Sequence, residues 1–169
     1  MLEWLEINRN IIGVPFWYWV LSIFFDKVAW KWLTCIHSIP NLNGKWEGEL
    51  ISTFEAEKKP TVIPMKMKIK QTWTKILITT EFEKSDSVSN SNVAAIYVDG
   101  NKGTQLYFGY INESFDVSKK MQTHYGYNIL TIKDNDKIKA RYFNDRQNPN
   151  PKILGGNKGT FELNRIKQK

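Results

Sequence analysis

The side chains here that could do chemistry are mostly neutral, polar and placed at alternate positions among apolar residues. Gln71, Thr80, His124, Asn128, Tyr142 and Asn144 share the parity of their apolar neighbours, so each is predicted to point the same way as they do. Most lie near the end of an alternating run rather than in its middle. Groups of this kind fix the orientation of a small ligand by hydrogen bonding. Arg141 and Arg146, close in sequence, could hold phosphate in bidentate fashion. Tyr107, Tyr110, Tyr125 and Tyr127 add aromatic surface on which a base could stack. The bland alternative is that the polar groups only bond one another and plug the end of the structure.

Nothing in the chain looks catalytic. There is no GxSxG, P-loop or GxGxxG pattern. Asp134 and Asp136 belong to the turn sequence DNDK, and GGNKG at 155–159 lacks P-loop spacing and a following helix. The single cysteine, Cys35, permits no intrachain disulfide. His37 and His124 are far apart, with no HExxH or CxxC, so neither a metal nor a cofactor is expected. The reading is of a binding protein, not an enzyme.

The elements that must position these residues begin at Gly44, where the pattern turns to period two. Eight strands are predicted, at about 44–54, 63–72, 74–83, 92–99, 104–112, 124–133, 137–144 and 158–166. Turn chemistry separates them: Lys-Lys-Pro, the Ser/Asn-rich 85–92, Asp99-Gly100-Asn101, Asp134-Asn135-Asp136 and the Pro/Gly-rich 148–159. Short antiparallel strands without intervening helices argue for an up-and-down sheet, and eight of them can close into a barrel. Alternation points Trp46, Leu50, Phe54, Met65, Met67, Ile69, Ile76, Ile78, Phe82, Leu130, Ile132, Ile138, Ala140, Phe161 and Leu163 inward. It turns Lys66, Lys68 and Lys70 outward, as a solvated face or a contact for phosphate.

The net charge of +7 falls wholly on residues 44–169, because Arg9, Lys27 and Lys31 balance Glu3, Glu6 and Asp26 in the first 43. A basic domain suits an anionic partner. The leader is different in kind. IIGVPFWYWVLSIFF, residues 11–25, carries no charge and would span about 22 Å as a helix. A bilayer core of about 30 Å needs more. Continuing through DKVAWKWLTCI, with Lys27 and Lys31 snorkelling, makes a single span over 11–33. A cleaved signal and a helix lying on the membrane or on the domain are the alternatives. The expected organisation is a membrane-anchoring segment over 1–40 and a ligand-binding barrel over 41–169. Mainly β, it would be an N-terminal transmembrane helix followed by an eight-stranded antiparallel barrel. The positive-inside rule then places the barrel in the cytoplasm.

IPNLNGKWEGEL (39–50), followed by strands and by KARYFNDR (139–146) and GTFELNR (159–165), resembles the membrane-anchored β-barrel effectors of bacterial CBASS anti-phage systems. That resemblance implies a partner CD-NTase, a nucleotidyltransferase that makes a cyclic dinucleotide on infection. The barrel would bind this messenger and self-associate. The tethered segments would then disrupt the inner membrane, the lipid bilayer being the target, in abortive infection. Family members usually carry two transmembrane helices, and this leader has room for one. The resemblance supplies no catalytic residue. The ligand-binding set rests on the parity and spacing described above: Gln71, Thr80, Tyr107, Tyr110, His124, Asn128, Arg141, Tyr142, Asn144 and Arg146. Two other readings compete. One is a membrane-tethered lipocalin-like carrier of a lipid or other apolar ligand. The other is a module for long nucleic acid, whose binding would fall steeply with salt.

Overall fold

The computed structural model describes residues 2–37, 39–53, 60–83, 87–99, 103–114, 123–134, 136–147 and 156–167. Eight strands form one closed antiparallel barrel in sequence order. They are β1 (Gly44–Ser52), β2 (Thr61–Gln71), β3 (Ile76–Phe82), β4 (Ser87–Asp99), β5 (Gly103–Ser114), β6 (His124–Asp134), β7 (Lys137–Gln147) and β8 (Gly156–Arg165). The sheet closes where β1 pairs with β8, from Trp46 opposite Arg165 to Ser52 opposite Gly159. Closure gives every strand two neighbours, although β3 meets β4 only over Thr79–Phe82 and the far half of β4 pairs with β5 alone.

Alternation assigns the interior. In β2, Met65, Met67, Ile69 and Gln71 are buried while Lys66, Lys68 and Lys70 are exposed. Trp46, Leu50, Ile78, Leu130, Ile138, Ala140, Phe161 and Leu163 fill the barrel as predicted; Ile76, Phe82 and Ile132 pack on them half-buried. Phe54 lies outside the described residues, as do Lys58, Lys59, Gly100, Asn101, Asn135 and most of 148–159 among the expected turns. Leu106 and Phe108 on β5 complete the interior. Of the outward lysines of β2, Lys66 faces carboxylates: Glu47 and Glu81 flank it in register, and its Nζ lies 2.5 Å from Glu83, whereas Lys68 stands opposite Lys45 and Thr79.

The two barrel ends differ. At the end formed by the start of β1 and the end of β2, the segment before β1 folds under the barrel as a plug. Leu42 is fully buried there, and its amide donates to Gln71 Oε1 at 2.7 Å. Gln71 Nε2 donates to the Pro40 carbonyl at 3.2 Å, and Trp46 Nε1 to the Leu42 carbonyl at 3.1 Å. The Arg165 guanidinium lies 4.2 Å from the centre of the Trp46 ring and donates to the carbonyls of Asn43 and Asn41. Apolar burial and satisfied backbone groups together close this end.

The membrane span expected over 11–33 is corrected. Helix α1 (Leu2–Lys27) is 26 residues long and stops at Val28, where the backbone leaves helical geometry. A 3-10 turn (Ala29–Leu33) and a short α2 (Thr34–His37) follow, and Trp30 in that turn is buried. Among the described residues, no helix is long and apolar enough to cross a membrane. The physical reason is composition. Glu3, Glu6, Asn8, Arg9 and Asn10 open α1, Asp26 and Lys27 end it, and the run between includes Gly13, Pro15 and Ser22. Extra apolar length beyond Lys27 is not collinear with it. The single-pass inner-membrane location inferred from that span falls with it. Asp26, at the end of α1, ties that helix to the barrel. Its Oδ1 accepts from the Thr74 amide and hydroxyl, each at 2.8 Å, and its carbonyl accepts from the Trp73 amide at 2.9 Å. Phe25 meets the Trp73 ring edge-on at 5.4 Å. Desolvation opposes ionisation of Asp26, but the Thr74 and Thr72 hydrogen bonds and the Lys75 charge outweigh it and hold its pKa below the ordinary value.

The plug should be measurable as stability. Leu42→Ala opens a void where the side chain is fully buried and should cost about 2–5 kcal/mol. Thermal unfolding followed by circular dichroism checks it: a midpoint unchanged from wild type would mean the segment before β1 does not brace the barrel.

Candidate functional site

The opposite end is formed by the end of β1, the starts of β2, β4, β6 and β8, and the ends of β3, β5 and β7. There the inward side chains change from apolar to polar. Strand pairing sets Ser89, Asn112 and His124 side by side across β4, β5 and β6. The next row inward sets Tyr110 beside Gly126 and Gly126 beside Asn144. Ser52, Ser87, Ser89, Asn112, His124, Tyr142 and Asn157 are all buried in spite of their polarity. They surround a cavity of about 100 Å³ that opens to the outside, with Asn144 and Arg146 on its rim. Below the tyrosines, a void of about 20 Å³ beside Thr80 and Asn128 has room for about one water.

The hydrogen bonds show how the mouth is held. Asn112 Nδ2 donates to Ser89 Oγ at 2.7 Å. The Tyr142 hydroxyl donates to Ser52 Oγ at 2.8 Å. Asn144 Oδ1 accepts from the backbone amides of Arg146 and Asn157, at 3.3 and 3.2 Å, and Asn157 Nδ2 donates to the Arg146 carbonyl at 2.9 Å. These bonds knit the irregular pairing of β7 with β8, whose register shifts between Phe143 and Gln147. Tyr110 meets the His124 ring edge-on, centroids 6.4 Å apart. Tyr110 crosses the wall at Gly126, where a Cβ would lie 2.2 Å from its ring. Only glycine leaves that space.

Burial pushes the Tyr110 phenol up to about 12, although a hydrogen bond with Asn144 eases it. Burial likewise raises Tyr142, partly offset by Ser52 and the Arg146 charge. Both phenols are neutral at physiological pH and serve as hydrogen-bonding and stacking groups. Among the described residues that line the cavity, Arg146 is the only lysine or arginine. No cluster of three or more His, Cys, Asp or Glu that could hold a metal occurs among the described residues.

Of the residues singled out from sequence, the structure gathers Tyr110, His124, Tyr142, Asn144 and Arg146 at the mouth, with Thr80 and Asn128 just beneath. It places five elsewhere, Tyr125 and Tyr127 lying on the outer face of β6. Gln71 is at the other end, committed to the plug. Tyr107 is on the outer wall, hydrogen-bonded to Gln105 and packed on Tyr127. Arg141 is exposed on the outer face of β7, one position out of phase with the interior. Five polar lining residues were missed: Ser52, Ser87, Ser89, Asn112 and Asn157. Ser87 and Ser89 sit in a segment whose composition reads as loop, yet β4 starts at Ser87. Asn112 was accessible by parity, two residues beyond Tyr110.

The barrel is closed, plugged at one end, and carries at the other a small cavity ringed by polar side chains. The chain belongs to the family described as Cap15, cyclic dinucleotide receptor domain, whose model matches residues 37–163. The match supports the receptor part of the CBASS effector resemblance, and a receptor domain points to binding rather than catalysis. No curated protein matches the chain.

Two outcomes test this geometry. Between pH 10 and 12 an unfolded tyrosine has lost its proton while folded Tyr110 keeps it, so the unfolded chain binds fewer protons and stability falls as pH rises. A shift of about two units corresponds to roughly 2–3 kcal/mol lost by pH 12. Denaturant titrations should show this alkaline slope shallower in Tyr110→Phe; identical slopes would place the phenol in water. Gly126→Ala should destabilise by about 1–3 kcal/mol through the clash with Tyr110, and a melting temperature equal to wild type would contradict the close approach.

Proposed function

We propose that the mouth is the receptor site for a cyclic dinucleotide. The observation that carries this reading is a row of buried polar side chains opening on a cavity with Arg146 at its rim. Drug-sized ligands occupy about 300–1,000 Å³. A cavity of about 100 Å³ therefore takes one part of a cyclic dinucleotide, and the remainder lies over the rim. A phosphate outside the cavity is within the domain of Arg146, whose fork suits its oxygens. Tyr110, His124 and Tyr142 supply ring surface, and Asn144 holds the rim in shape. A partner nucleotidyltransferase would supply the messenger.

Ligand binding then favours contact between barrels. The plug and α1 occupy the end opposite the mouth, and a second copy would meet the barrel at the mouth end. Exposed Val93, Ile51 and Phe143 on the outer wall add apolar surface for that contact. A lipid carrier draws no support here, because Leu106, Phe108, Leu130 and the β2 methionines fill the interior where an acyl chain would lie.

Calorimetric titration of the full chain with a panel of cyclic dinucleotides and a fatty acid tests the reading. One cyclic dinucleotide should bind, and Arg146→Ala should weaken it about 10–100-fold, the range for a lost charge-assisted hydrogen bond. Binding of the fatty acid alone would overturn the proposal. Sedimentation velocity should show larger species with the ligand than without; a monomer in both states would remove the association step.

A further inference from the structure

Asn112 is 3% exposed, and its Oδ1 has no hydrogen-bond partner among the described residues. The other end of the same amide is committed, Nδ2 to Ser89 Oγ at 2.7 Å. That bond holds the side chain across the mouth, where it lines the cavity. A buried acceptor without a donor is unfavourable and uncommon in folded proteins. The Asn112 side chain lines the cavity, so a donor on a ligand that enters between it and the facing residues would satisfy the oxygen.

The size of the cavity restricts what brings the donor. An apolar cavity of about 150 Å³ takes a single benzene ring. The present one, of about 100 Å³ and open on one side, admits the leading part of one six-membered ring and no second ring beside it. A flat nucleobase entering edge-first suits this narrow, largely apolar space better than a charged sugar–phosphate ring. Hydrophobic lining from Leu50, Ile63 and Phe82 suits the flat faces of such a ring. The edge that leads must carry an N–H.

From these observations we infer that Asn112 reads one base of the messenger. The base enters by its Watson–Crick edge, and its N–H donates to Asn112 Oδ1. This rests on the receptor reading above and adds to it the specificity-determining contact. Ser89 is the positioning residue, since it fixes the amide that makes the contact.

The test uses the full chain and calorimetric titration with cyclic di-UMP, cyclic di-AMP and cyclic di-GMP. Each is paired with a counterpart whose Watson–Crick N–H groups are methylated. The tightest binder should lose at least tenfold in affinity on methylation. Asn112→Leu should lose a similar factor for the unmodified ligand and little more for the methylated one, because the two changes remove the same bond. The methylation arm uses wild-type protein, so it stands even if the variant folds poorly. Equal affinity of wild type for methylated and unmodified ligand would overturn the inference while leaving the receptor reading intact. So would a methylation penalty that is undiminished in a folded Asn112→Leu. No binding to wild type of any of the three, or of the mixed-base cyclic dinucleotides of the panel above, would overturn both.

Discussion

Closure of β1 against β8 is the constraint on which the rest depends. Eight strands enclose an interior just wide enough for side chains to fill it. Each inward position is therefore either packed or at an end. Gly48 makes the seam possible, since a Cβ there would lie 1.8 Å from the Glu162 carbonyl oxygen. Across the same seam Arg165 reaches over Trp46 to the carbonyls of Asn41 and Asn43, so the joint that closes the sheet also anchors the plug.

A barrel closed in this way has two ends to settle, and this chain settles them by opposite means. At one end the carbonyls and amides of the segment before β1 are met by Gln71, Trp46 and Arg165. That end is closed: the plug's bonds to Gln71, Trp46 and Arg165 are made and Leu42 is fully buried, while Trp30 Nε1, in the turn that precedes the plug, has no partner among the described residues. At the other end Asn112 keeps an unmatched oxygen. An acceptor held by the fold but unsatisfied by it is what a binding site requires.

The leader shows how far one short uncharged run can mislead. Fifteen uncharged residues next to snorkelling lysines read as a membrane span, but a helix crosses a membrane only if the apolar length is continuous and collinear. Val28 breaks that continuity, Trp30 turns in to be buried, and Asp26 is spent on Thr74. None of these three events has a signature in hydropathy. Each is a contact between residues far apart in sequence or a local bend.

The period-two code belongs to the chain alone. Because successive side chains in a strand point to opposite faces, the parity of Met65, Met67 and Ile69 already separated inside from outside, and eight such runs already implied a closed barrel. The same code placed Thr80, His124, Asn128, Tyr142 and Asn144 inside, and would have placed Asn112 there. It could not say at which end an inward residue lies in three dimensions, since parity carries no height. Strand pairing set that height, assigning Gln71 to the plug and His124 to the mouth. It also put Tyr107 and Arg141 on the outer wall, and made strand of Ser87 and Ser89. The reason is that height in a barrel follows from register between strands. Register is a property of paired backbones that no single run of residues contains.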